Sequence, residues 1–110
     1  MNLNVKNEEK ETLVSLAGRM DAVSSPEFEK ELGRLIDEGN VNFVIDLTEL
    51  DYISSAGLRS VLVTAKKLKG KNGQILLASL QAVVKEVFEI SGFSTIIPIY
   101  ESVEEAMAAL

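Results

Sequence analysis

The 110-residue chain contains no cysteine, no histidine and no tryptophan. Without a thiol or an imidazole it cannot by itself build a disulfide, a Cys nucleophile, a Ser-His-Asp triad or the nitrogen and sulfur ligand set of a zinc site. No apolar run approaches the roughly 20 residues that span a bilayer. The opening Met1-Asn2-Leu3-Asn4-Val5-Lys6 lacks the basic-then-apolar pattern of a secretory leader. No glycine-rich phosphate cradle is present either. These absences lead us to expect a cytoplasmic protein with no metal, no cofactor and no membrane partner.

What is present is the composition of an ordinary globular domain, 46% hydrophobic and 25% charged. At this length one domain over residues 1–110 is expected. The net charge of −6 comes from 11 bases against 17 acids, a balance that repels nucleic acid. The charges are unevenly placed: residues 1–51 hold 12 acids and 5 bases, residues 52–85 hold 6 bases and no acid, and residues 86–110 hold 5 acids and no base.

Periodicity gives the element order. Leu3 and Val5 alternate with polar residues, and Leu13, Val14, Leu16 and Ala17 follow after a polar turn, which predicts a hairpin. Ser24 or Ser25 can cap a helix that has Pro26 in its first turn and Phe28, Leu32, Leu35 and Ile36 on one face. Val41, Phe43, Val44, Ile45 and Leu47 read as a buried central strand. A polar connection from Thr48 to Ser55 then leads into a helix with Leu58, Val61, Leu62, Ala65 and Leu68 inward. Gln74–Ala78 is a further strand, Val83 to Phe88 mark a third helix ending near Gly92, and Thr95–Tyr100 is a last strand. Pro98 puts that strand at an edge. Ser102 and Glu105 have capping-box spacing ahead of a short helix with Val103, Ala106, Met107 and Leu110 on one side. The order β-β-α-β-α-β-α-β-α predicts an α/β domain with a mixed sheet packed by about four helices. Phe28, Phe43, Phe88 and Met107 are assigned to its core.

The segment best placed for function runs from Asp46 to Arg59, leaving the carboxyl end of the central strand and entering a helix, where open α/β sheets place their sites. Ser54 or Ser55 falls at the helix start, and capping alone accounts for a serine there. The outward face of this helix carries Arg59, Ser60, Val63 and Lys67, with Lys66 on its flank. That face suits a partner with carboxylates around a small apolar pocket.

Tyr52-Ile53-Ser54-Ser55-Ala56-Gly57-Leu58, preceded by Val44-Ile45-Asp46-Leu47 and by Gly18-Arg19-Met20-Asp21-Ala22, resembles the bacterial anti-sigma factor antagonists of the STAS domain family. The resemblance implies a binding module rather than an enzyme. An anti-sigma factor with serine kinase activity phosphorylates such antagonists two positions before the Gly of the Gly-Leu pair, and a serine phosphatase reverses it. The unphosphorylated form binds the anti-sigma factor and frees the sigma factor. Here that serine is Ser55, ahead of Gly57, and the family pattern implies Asp21 and Asp46 in its surroundings. Many members have Asp where this chain has Ser54, so Ser54 is a second candidate acceptor.

Two other readings use the same residues. A STAS domain can serve as a scaffold or regulatory subunit of a transporter or lipid-trafficking ATPase complex, with Ser55 only a cap. An enzyme would need Ser55 as nucleophile and Asp46 or Asp21 as base. A carboxylate is a poor base for a serine hydroxyl, and Ile53 replaces the first Gly of a G-x-S-x-G elbow.

Overall fold

The computed structural model describes residues 1–110. Five strands, β1 (Asn2–Asn7), β2 (Thr12–Met20), β3 (Asn42–Ile53), β4 (Gln74–Ala78) and β5 (Ile99–Tyr100), form one sheet in the order β1-β2-β3-β4-β5. The hairpin pair β1/β2 is antiparallel and every other pair is parallel. The helices are α1 (Ser25–Asp37), α2 (Ser55–Lys69), α3 (Ala82–Ile90) and α4 (Val103–Ala108). The expected α/β class, order and mixed sheet are all found, and β3 is the central strand. No helix is long and apolar enough to cross a membrane.

The two faces of the sheet are covered unequally. Alternate residues of the strands, including Val14, Leu16, Phe43, Ile45, Ile75 and Leu77, meet Phe28 and Leu32 of α1, Leu58 and Leu68 of α2, and Phe88 of α3 in one large core. On the opposite face only a small cluster forms, where Ala106 of α4 packs on Val44, Leu76 and Ala78. Met107 sits at the border of that small cluster, so of the four side chains assigned to the core it is the one not fully buried.

Three local expectations are corrected. The stretch Thr48–Ile53 is not a connection: β3 continues through it, paired only with β2 once β4 has ended opposite Asp46. Register shifts between Ser15 and Ala17 and between Gly18 and Arg19 carry the pairing on. They make the inward residues Leu47, Leu50 and Ile53 recur every third position, which hides a strand from a search for period two.

At α1, Ser24 occupies the cap position but its hydroxyl makes no cap bond. It accepts from the Asp21 N–H and donates to the Arg19 carbonyl, both at 2.9 Å. The last strand shrinks to Ile99–Tyr100, because the N–H groups of Ile96 and Ile97 both turn back to the Phe93 carbonyl. Pro98 has no N–H to offer. Its edge position is as expected.

Candidate functional site

The site lies where β2 and β3 end together. The two strands remain paired, across both register shifts, to their last residues, Met20 opposite Ile53, and the Ser54 N–H then donates to the Met20 carbonyl at 2.9 Å. This bond delivers the chain to the start of α2 beside the turn that begins with Asp21.

The two serines have different roles in the geometry. Ser54 is the N-cap, with extended backbone, and its hydroxyl accepts from the Gly57 N–H at 3.2 Å. Ser55 is the first helical residue, exposed, and its hydroxyl makes no hydrogen bond within the protein. The Leu58 N–H goes to the Ser54 carbonyl. Of the first-turn donors this leaves the N–H groups of Ser55 and Ala56 free, and the turn contains no acidic residue. A helix start of this kind favours an added anion.

Gly57 is required by space. A Cβ there would lie 2.7 Å from Ile53 Cγ1 and 2.8 Å from the Met20 carbonyl oxygen. The helix start is therefore pressed onto the ends of both strands, and Ser55 is held facing away from them.

Asp21 is at the site. One of its carboxylate oxygens accepts from the N–H groups of Val23 and Ser24 and shares the single Ser24 hydroxyl proton with the Arg19 carbonyl. The Ser24 backbone bond is the main reason its carboxyl is held below the usual carboxylate range, outweighing some desolvation; the Ser24 hydroxyl, the Val23 N–H and the nearby Arg19 act in the same direction. It is a negative charge fixed within its own turn, one residue after the Met20 carbonyl that accepts the Ser54 N–H.

Asp46 is not at the site. It pairs with Ser15, five residues of β2 before Met20, which at a strand's rise puts it roughly 15 Å down the sheet. Its carboxylate accepts from the Thr48 N–H and hydroxyl and so holds the irregular part of β3.

The face of α2 is also revised. Arg59, Val63 and Lys66 are exposed, as expected. Ser60 is 4% exposed, because α1 packs along α2 and takes a second side of the helix from solvent. Small side chains there permit the approach, and Thr64 donates to the Ser60 carbonyl at 2.9 Å. Lys67 is exposed too, as expected, but pairs with Asp37 of α1 at 3.6 Å. The sequence pattern separated core from solvent but could not show that a neighbouring helix would cover part of the polar side.

Two exposed features beside the site had no motif to mark them. The Arg19 guanidinium stacks over the Tyr52 ring at 4.1 Å, on paired positions of β2 and β3. Val23, on the turn that starts at Asp21, is 89% exposed.

A family model for the STAS domain matches residues 2–106. The chain belongs to the STAS domain family. It is 45% identical over 97 residues to BtrV of Bordetella bronchiseptica, covering 88% of this chain and 84% of that one. It is 31% identical to the anti-sigma-B factor antagonist of Bacillus subtilis, with 90% of each covered. Among solved structures it is similar in fold to an anti-sigma factor antagonist from Mycobacterium paratuberculosis, with a TM-score of 0.90 at 24% identity, covering 98% of this chain and 92% of that one. It is similar also to SpoIIAA of Bacillus in its phosphorylated form, with a TM-score of 0.77 at 18% identity and 98% of each chain covered.

Proposed function

We propose that this STAS domain is an anti-sigma factor antagonist whose docking is switched by phosphorylation of Ser55. The observation that carries the reading is the division of labour between adjacent serines: Ser54 is used as the cap, and Ser55 presents an unbonded, exposed hydroxyl at the helix start. The designation of the Bacillus subtilis relative and the existence of a phosphorylated SpoIIAA support the same reading.

In the unmodified state the exposed residues Arg59, Val63 and Lys66 of α2 meet carboxylates and a small apolar pocket on the anti-sigma factor, freeing the sigma factor. That anti-sigma factor supplies the kinase. The Ser55 hydroxyl oxygen attacks the γ-phosphorus of ATP, the bond to the β-phosphate oxygen breaks, ADP leaves, and the hydroxyl proton passes to a base of the kinase. A serine phosphatase restores the hydroxyl by transferring the phosphoryl group to water.

Phosphate adds about −1.5 to −2 charges and three acceptor oxygens. The free N–H groups of Ser55 and Ala56 tolerate it, so the fold is retained. Together with the Asp21 carboxylate the added charge makes the docking surface strongly negative at one end, and an acidic partner surface is repelled. This chain is the phosphoryl acceptor and performs no catalysis of its own.

The test is a kinase reaction with the anti-sigma factor captured from the native cell. One phosphate is expected on the wild type, with none on Ser55→Ala and normal uptake on Ser54→Ala. Undiminished uptake by Ser55→Ala would overturn the site. Capture of a permease or an ATPase instead, with no phosphorylated form in cells, would replace the reading by that of a constitutive subunit.

A further inference from the structure

At the far end of α2 from Ser55, an apolar groove of about 440 Å³ opens between the helix, the start of β4 and the segment leading into β5. Leu62, Ala65, Ile75, Ile96, Ile97 and Pro98 form its walls, Lys66 and Lys69 line it as well, and no acidic side chain does. Ile96 is 59% exposed. The two lysines are one turn apart on α2, so they share a side of the helix. Neither takes part in any of the ion pairs of the protein.

The groove offers an occupant little backbone chemistry. The N–H groups of Ile96 and Ile97 are bonded to the Phe93 carbonyl, that of Gln74 to the Val41 carbonyl and that of Gly73 to the Leu68 carbonyl. Pro98 has none, and its carbonyl already accepts from Leu77. An added strand would find no row of donors here. The part of α2 lining the groove, Leu62 to Lys69, is about 10 Å long, two helical turns. Apolar contact, the exposed Gln74 side-chain amide and two ammonium groups are what remain for recognition, and the volume falls in the range of about 300–1,000 Å³ typical of small-molecule sites.

We propose that this groove binds a single-chain anionic amphiphile, a medium-chain carboxylate whose tail lies on Ile75, Ile96, Ile97 and Pro98 and whose head pairs with Lys66 and Lys69. The inference does not rest on Ser55, which lies roughly 16 Å away along the helix.

Titration of the full chain with sodium decanoate below its micellar range, followed by amide nuclear magnetic resonance, tests it. Saturable shifts are expected at Leu62, Ala65, Gln74, Ile96 and Ile97, and Ser55→Ala should bind with the same affinity. The exposed pair Lys66→Gln with Lys69→Gln should weaken decanoate binding about tenfold while leaving weaker binding of neutral 1-decanol unchanged. Ile96→Glu should abolish both, and because Ile96 is exposed the variant will still fold.

Shifts that never saturate or that spread over the whole chain would overturn the proposal. So would affinity for decanoate unaffected by losing both lysines. Shifts of the same amides by a Glu- and Leu-rich amphipathic peptide, with none from decanoate, would overturn it in favour of a protein partner.

Discussion

The carbonyl oxygen of Met20 lies so close to Gly57 that a Cβ on the glycine would come within 2.8 Å of it. The same oxygen accepts the Ser54 N–H. One backbone atom at the end of β2 therefore fixes both the cap and the first turn of α2, and with them the direction in which Ser55 points.

Gly57→Ala should accordingly destabilise the fold by about 1–3 kcal/mol, since backbone and a buried Ile53 must give way. Chemical denaturation measures this. A midpoint equal to the wild type would mean that the first turn of α2 can slide off the strands at no cost, and the rigid placement of Ser55 would have to be abandoned.

The two serines should separate stability from signalling. Ser54→Ala loses a cap worth about 1 kcal/mol, whereas Ser55→Ala, removing an unbonded surface hydroxyl, should stay within about 0.5 kcal/mol of wild type. Thermal unfolding of both variants checks the order; a larger loss for Ser55→Ala would exchange their roles. Ser55→Asp should fold normally yet bind the anti-sigma factor at least about tenfold more weakly, or about 1.4 kcal/mol, as read by calorimetry.

Along α2, neighbouring positions should respond in opposite ways. Arg59→Glu is expected to leave unfolding unchanged and to weaken the anti-sigma complex by about tenfold, with a reduced dependence on salt. Ser60→Glu buries a charge between α1 and α2 and should cost several kcal/mol of stability before binding is considered. Paired melting and binding measurements on both variants distinguish an outer face from a packed one.

The pH dependence follows from the missing histidine. With no side chain titrating near neutrality, the unfolding midpoint should be nearly flat between about pH 5.5 and 7. Asp21, through the Ser24 backbone bond, and Glu31, through its hydrogen bond with Arg34, both hold their carboxyls below the ordinary values when folded. The unfolded chain then binds protons first, so their stabilisation is present above the unfolded values and is lost as the pH falls through the folded ones, below about pH 4. Asp21→Asn should flatten part of that acid limb; an unaltered limb would show that the Asp21 turn contributes nothing to it.

Much of this was legible in the residues, and what was not has physical causes. The alternation of Leu3 and Val5, the helical spacing from Phe28 to Ile36 and the Pro98 edge all follow from local sterics and hydrogen bonding, and each was found where expected. The far half of β3 was hidden because its irregular pairing with β2 spaces Leu47, Leu50 and Ile53 by three. The burial of Ser60 and the remoteness of Asp46 depend on which elements become neighbours, which no local pattern encodes. Ser54 and Ser55 are indistinguishable as residue types, and only the Gly57 N–H, by choosing one of them, tells them apart.

The unequal covering of the sheet sets an order of opening. α4 is held by one fully buried residue, Ala106, packed on the three strand residues Val44, Leu76 and Ala78, and by the Ser102 hydroxyl that accepts from the Glu105 N–H. α1, α2 and α3 share the large core. In native-state hydrogen exchange the amides of α4 should lose protection first, as a separate cooperative unit of low opening free energy. Opening of that helix would bare Val44, Leu76 and Ala78 while the junction of β2, β3 and α2 on the other side of the sheet stayed closed.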